Sequence, residues 1–434
     1  MTLHADHAVG PENLPARMPA GPEFPPTTVT SPAPAQDRKQ RTGDRLYVLD
    51  LLRFSAALAV LGFHMFIDND NRGYWGTGVE GVFGGTLVAV FRYGWVGVEF
   101  FFVISGFVIC MSCWGRSVTD FAVSRVTRLM PAYVFAVLVT SAALALWPLE
   151  TGRPQPSHVL INATMLQTFV GIPNIDSVYW TLFVELKFYL LFAIVVRFGL
   201  TYRRVVLFCV LWMVAALYAQ YSEFQLLVSI AEPRFAPYFI AGIALYLIHR
   251  FGPNLLLSGI LGTAVILGVV ELSRRVAEQN ANRPKPVVSF EVALPAMLIF
   301  FAVMVAVALG WFSGVKWRGL TVIGALTYPV YLLHMQFSRI AVGRLYDSVS
   351  PWALVAGLVT GVLLLAYLTH RFVEKPVARV LRRKLQDSFA QIRNGSHDDE
   401  NRDGRRMANL DRRGAPVPSP RADAESVALR SDQW

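Results

Sequence analysis

A chain of 434 residues with 54% hydrophobic and 16% charged residues and a mean hydropathy of +0.43 is too apolar for an ordinary soluble domain and fits a polytopic membrane protein. The 29 Phe, 15 Tyr and 10 Trp suit lipid-facing helices with aromatic belts, rather than the short alternating strands of an outer-membrane barrel. Three Cys make no disulfide framework, and the net charge of +10 sits mostly in connections and the tail, where it reads as a topology signal and not as a nucleic-acid surface.

Eight prolines fall within the first 36 positions, so residues 1–45 are expected to form a basic, disordered N-terminal tail with no signal peptide. From Leu46 the apolar runs predict an all-α bundle of ten membrane spans. They lie near 46–67, 95–114, 129–147, 179–196, 205–221, 236–248, 254–271, 292–311, 320–337 and 352–370, the sixth being short. Beyond Pro376 the chain is basic and then polar, and 377–434 is expected to be a largely disordered tail. With ten alternating spans, one set of connections carries nineteen Lys and Arg and the opposite set ten. Both termini are therefore assigned to the cytoplasmic side of an inner or plasma membrane. The segment "ELSRRVAEQNANRPKPVVSFE" dissents locally, being basic on the predicted outside.

The first span holds two groups that lipid rejects. In "LRFSAALAVLGFH" Arg53 lies about seven residues, or ~10 Å, inside the predicted membrane, and His64 follows eleven positions later. Eleven steps of ~100° return to the same helix face, ~16 Å along the axis. An arginine in a spanning helix costs at least ~2.5 kcal/mol by insertion scales, so a partner within the bundle is expected. A structural ion pair and a hydrogen-bonded core histidine are the bland reading. The functional reading has both groups facing one interior cavity from opposite depths.

In the second span Glu99 is near the outer end, either a hydrated helix-start carboxylate or a site residue, and Ser105 is deeper. "VISGF" is not a G-x-S-x-G elbow, so Ser105 is not read as a hydrolase nucleophile, and Gly106 is read as a point of close helix approach. Cys110 and Cys113 form a lone C-x-x-C, read as packing. Arg125 and Arg128 share one side of the helix leading into the third span. They suit bidentate binding of a polyphosphate as well as positive-inside anchoring. Glu185 lies ~9 Å below the outer surface in the fourth span, and His334 reaches the outer half of the ninth. His64, Glu185 and His334 are thus predicted to share one level, where two histidines and a carboxylate can form a general base. None of them makes a compact ligand pair such as His at i, i+4, so no metal is expected. Arg371, Lys375 and Arg379 read as anchors, with Glu374 available to pair locally.

Taken in order, "LDLLRFSAALAVLGFH", "GVEFFFVISGFVI", "SRVTRLMPAY", "YWTLFVELKFYLLF", "LTYPVYLLHM" and "FVEKP" resemble the motifs of the acyltransferase-3 family of integral membrane acyltransferases. That family includes O-antigen and other surface-polysaccharide acetylases and some antibiotic acylases. The resemblance covers about Leu46 to Pro376, with Thr181 standing where the family often has serine after tryptophan. It implies transfer from cytoplasmic acyl-CoA, acetyl-CoA above all, to a hydroxyl of a carbohydrate, glycolipid or other small acceptor across the membrane. Arg53, Arg125 and Arg128 would then receive the donor's phosphates and position its thioester. His64, tuned by Glu185, would take the acceptor's proton or carry the acyl group itself. Glu99, Ser105, Trp180, Tyr328, Tyr331 and His334 are the substrate-side candidates, with Tyr328, Tyr331 or His334 as oxyanion donors. The tail is too short for the soluble hydrolase-like domain of many relatives, so the 46–376 region is expected to act as a stand-alone membrane domain. A proton-coupled transporter would use the same intramembrane residue types, and a homo-oligomer is left open.

Overall fold

The computed structural model describes residues 46–391 apart from Thr151 and 282–286. The N-terminal tail and the part of the C-terminal tail beyond Gln391 lie outside the described residues. Among the described residues ten helices are long and apolar enough to cross a membrane: Tyr47–Asn71, Gly85–Cys113, Val118–Leu146, Ser177–Arg197, Tyr202–Ala219, Gln225–Phe251, Leu255–Asn280, Phe290–Ala308, Gly319–Leu345 and Pro351–Gln391. No β-strand occurs among the described residues, so the fold is the expected all-α multi-pass bundle. The end where the first span begins is termed proximal below, and the other end distal.

Three helix starts at the proximal end, those of the third, fifth and seventh spans, are set by side-chain caps. Ser117 Oγ accepts from Asp120 N at 3.1 Å, Thr201 Oγ1 from Arg204 N at 3.3 Å and Asn254 Oδ1 from Leu257 N at 3.0 Å. Each cap satisfies a donor that the helix ladder leaves open. Lipid gives apolar helices little reason to associate, so close packing must hold them together. The second and sixth spans interlock through reciprocal glycines. A Cβ on Gly106 would strike the Phe239 carbonyl, and one on Gly242 the Val103 carbonyl. Gly106 thus does permit the close approach read from the sequence.

The first, seventh and ninth spans run on past their predicted distal ends, to Asn71, Asn280 and Leu345, and four further boundaries differ for local reasons. "GTLVAVF" is helical and joins the second span through a 3-10 turn at Gly94–Val96. The third span starts at its Ser117 cap, so Arg125 and Arg128 lie within the helix itself. The sixth span is two helices, Gln225–Ala231 and Ala236–Phe251, because Pro233 disfavours a helical Glu232 before it. The tenth continues to Gln391, so residues 377–391, expected in a disordered tail, are helical. Pro376 would clash with the carbonyl four residues back, and the π-helical turn at His370–Glu374 opens the ladder there. A second π turn, Phe63–Asp68, carries His64. It frees the Met65 carbonyl, which accepts from Asn69 Nδ2 and Trp75 Nε1, both at 3.0 Å.

Candidate active site

Four helices enclose a narrow cavity of about 50 Å³, room for a few waters. Arg53 comes from the first span, Ser105 from the second, Thr181 and Glu185 from the fourth, and Tyr328 and Tyr331 from the ninth. Ser105 Oγ and Tyr189 OH both donate to Glu185 Oε1, at 2.7 and 2.6 Å. These are charge-assisted lengths, and they leave Oε2 without a hydrogen bond. Arg53 forms no ion pair among the described residues, and its Nε is buried without a partner. Glu185 and Asp50 act on it favourably and the like charge of Arg128 unfavourably, so the expected offset comes from a field of carboxylates rather than from one contact. Thr181 keeps the hydroxyl that serine would supply, sharing a 2.8 Å hydrogen bond with Tyr331 OH.

Distal to this cavity, the His64 and His334 rings are 5.2 Å apart and tilted by 41°. Tyr331 connects the levels, lining the cavity with its ring 5.6 Å from that of His334. His334 Nδ1 lies 2.7 Å from the Tyr331 carbonyl oxygen. A carbonyl only accepts, so Nδ1 carries the proton and Nε2 the lone pair. That Nε2 and His64 Nδ1 are both buried without partners. Asp68 stands beside them, accepting from Arg339 Nε at 2.9 Å and paired with Arg72 at 3.4 Å.

The predicted common level of His64, Glu185 and His334 needs correction. The charges acting on His64 are those of His334, Asp68, Arg339 and Arg72, whereas Glu185 belongs to the Arg53 cavity. Asp176 explains the difference. It caps the 3-10 turn that opens the fourth span, and its Oδ2 accepts from Gln336 N of the ninth at 3.3 Å. The fourth span is thereby pinned level with a point just beyond His334, and Glu185, nine residues on, falls ~14 Å more proximal. Burial pushes the Asp176 carboxyl up to about 7, against the pull of its two backbone N–H donors.

At the proximal side Arg125 lies 5.9 Å over the Tyr189 ring and Arg128 5.9 Å over that of Tyr328. Arg125 Nε is buried without a partner. Arg128 Nη1 binds Glu374 Oε1 at 2.5 Å, and His370 Nδ1 meets Glu374 Oε2 at 2.8 Å. Glu374, expected to pair with its basic neighbours, instead joins the tenth span to the third, while Arg371, Lys375 and Arg379 are exposed.

Two substrate-side candidates lie elsewhere. Glu99 is fully buried, with Arg275 Nε 3.4 Å from its Oε1. The Arg275 guanidinium sits 5.5 Å from the Trp95 ring and 5.9 Å from that of Trp180. Arg274 pairs with Glu271 at 2.6 Å and Arg234 with Glu278 at 2.5 Å. Carboxylates therefore compensate Arg274 and Arg275, the two described arginines of the distal segment that dissented from the charge count. Cys110 and Cys113 are buried free thiols.

Sequence reasoning missed Tyr189, Asp68, Arg339, Asp176, His370 and the tertiary use of Glu374. Three of these carried a readable signal: Tyr189 follows Glu185, Asp68 follows His64, and Glu374 follows His370, each by one helical turn. Arg339, Asp176 and the Glu374 bond to Arg128 act through contacts between distant helices.

A family model described as an acyltransferase domain matches residues 46–371. The acyltransferase MdmB of Streptomyces mycarofaciens is 24% identical over 382 residues, covering 78% of this chain and 93% of that protein. No solved structure matches the chain. The matched region contains every helix of both the Arg53 cavity and the histidine pair, and the chain belongs to the acyltransferase-3 family of integral membrane acyltransferases.

Proposed function

We propose that this protein is an O-acyltransferase of the inner or plasma membrane. It moves an acyl group from acyl-CoA at the proximal, cytoplasmic end to a hydroxyl of a carbohydrate, glycolipid or other small acceptor at the distal end. The observation that supports this reading best is vertical order. An arginine with no ion-pair partner among the described residues lines a cavity, and just distal to it two histidines hold buried nitrogens that none of the described residues partners.

The residues present fit such a donor. Arg53 and Arg125 each keep a buried Nε without a partner, the kind of vacancy that phosphate or carbonyl oxygens complete. Arg128 offers a third guanidinium, positioned by Glu374. In the transfer step His64 takes the acceptor hydroxyl's proton as its oxygen bonds to the thioester carbon. The C–S bond then breaks, and the departing thiolate takes up the proton. His334, with its lone pair held on Nε2, stands beside His64 to share the positive charge that forms. It is therefore not an oxyanion donor in its neutral state, and of the three only Tyr328 and Tyr331 remain, each of which would have to turn its O–H away from a present acceptor, the Leu129 carbonyl at 3.3 Å and the Val178 carbonyl at 3.4 Å respectively.

The test uses membranes containing the protein, incubated with labelled acetyl-CoA and extracted into lipid, polysaccharide and small-molecule fractions. One fraction should be labelled by the wild type and not by His64→Ala. Equal labelling by both would overturn the reading with acetyl-CoA as donor.

A further inference from the structure

A second cavity, of about 400 Å³, lies on the other side of the fourth span. Thr181 and Glu185 look into the Arg53 cavity, while Trp180, Phe183 and Lys187 line this one. Its opposite wall is the break in the sixth span, from Ser229 to Phe235. The acyl-transfer step makes no use of it.

Three features argue against a packing defect. Broken helical backbone at membrane depth persists only where protein buries it or a cavity adjoins it. Among the described residues the only non-glycine positions with positive φ are Glu232, at 47°, and Met165, at 64°. Glu232 lines the cavity, Met165 lies three residues before the lining Thr168, and such strained positions gather at functional sites. Lys187 and Glu232 form an ion pair within the membrane-spanning region, where ionisable groups are rare and functional by default.

The chemistry of the pair narrows the ligand. Lys187 Nζ also donates to the Ser229 carbonyl at 3.1 Å and lies 4.9 Å over the Phe183 ring. One ammonium N–H and Glu232 Oε2 remain uncommitted. A hydroxyl can accept from the first and donate to the second, whereas an anion would meet the carboxylate and a cation the ammonium. Phe169, Trp180, Phe183 and Phe235 supply flat apolar faces, the composition of a small-molecule site rather than of an ion path. Phe169 of the lining is exposed, as are Val170 and Ile230, the chain neighbours of Phe169 and of the lining Ser229. We propose that this cavity binds a neutral, hydroxylated amphiphile entering sideways from the distal leaflet, its ring on the aromatic wall and one hydroxyl bridging Lys187 and Glu232. That this amphiphile is the acyl acceptor rests on the acyl-transfer reading; the binding itself does not.

The test is photolabelling of the full chain in phosphatidylcholine nanodiscs with an alkyl glucoside bearing a diazirine on its chain. Label should map to peptides containing Phe183 or Ser229–Phe235, and excess unlabelled alkyl glucoside should compete it away. Lys187→Met/Glu232→Gln, checked for monodisperse elution, should lose at least tenfold of the labelling. Wild-type protein alone also decides the matter, whatever the fate of that variant. Equal labelling of the same peptides by a diazirine phosphatidylcholine would make the cavity an ordinary lipid contact, and preference for a phosphatidylglycerol analogue would make it an anion site. Either result overturns the proposal. No acyl donor is present, so the outcome is independent of whether His64→Ala abolishes transfer.

Discussion

Replacing His334 by asparagine separates its two functions. The asparagine amide can still donate to the Tyr331 carbonyl, the 2.7 Å bond that His334 Nδ1 makes, but nothing replaces the lone pair at Nε2. In the proposed step neutral His334 would offer that lone pair to the His64 imidazolium as it forms, with the rings 5.2 Å apart before reaction. A hydrogen bond to a charged group is worth ~1.5–3 kcal/mol, which at ~1.4 kcal/mol per decade is ~10- to 150-fold in rate. His64→Gln, which removes the base itself, should cost more, ~10²- to 10⁴-fold. Because His334 acts only through His64, the double variant should be no slower than His64→Gln alone. The assay is the initial rate of label transfer from acetyl-CoA into whichever fraction the wild type labels, at saturating donor. A His334→Asn rate within twofold of wild type would refute the reasoning, as would losses that multiply in the double variant.

Arg53→Lys keeps the charge and removes the planar fork, so apparent donor affinity should fall by ~10- to 100-fold through loss of charge-assisted hydrogen bonds, with a smaller change in kcat; an unchanged donor KM would remove Arg53 from donor binding. Asp176 bears on stability. Its carboxyl rises from 3.8 to about 7 on burial, so between those values the folded chain holds a proton that the unfolded chain has lost, and stability should decline as pH rises through that window. The full effect is on the order of 4 kcal/mol, and Asp176→Asn should flatten the melting temperature measured from pH 4 to pH 8; a slope equal to wild type would exclude this carboxyl as its source.

Ten spans were legible because an apolar run of sufficient length has few alternatives to a helix across the membrane. Helical periodicity alone also put Arg53 and His64 on one inward face. Depth between helices was less accessible. Glu185 was assigned to the histidine level by counting from an assumed membrane surface, but the register of the fourth span is set by Asp176 binding a backbone N–H of the ninth. No local pattern announces that bond. Glu374 had basic residues on both sides in sequence and paired instead with Arg128, 246 positions away. Arg275 looked like a topological anomaly because its carboxylate, Glu99, belongs to another helix. In each case the misplaced residue is charged and its partner lies on a separate span.

The same pins decide whether a transfer reaction can be aligned. The first and ninth spans run parallel, and the proposed reacting groups are divided between them, with Arg53 and His64 on one and Tyr328, Tyr331 and His334 on the other. A slip of one residue between the helices is ~1.5 Å, and a misplacement near 1 Å can cost ~10²-fold in rate. Apolar packing alone resists such a slip weakly, because lipid-like side chains exchange for one another at little cost. Two polar contacts just distal to His64 hold the register, Asn69 Nδ2 to Ser338 Oγ at 2.9 Å and Arg339 Nε to Asp68 Oδ2 at 2.9 Å. The Asn69 donor also serves the carbonyl freed by the π turn that carries His64. The irregular turn, the histidine and the clamp to the ninth span are therefore parts of one device, in which the local break in helical geometry supplies the anchor that keeps both histidines in register.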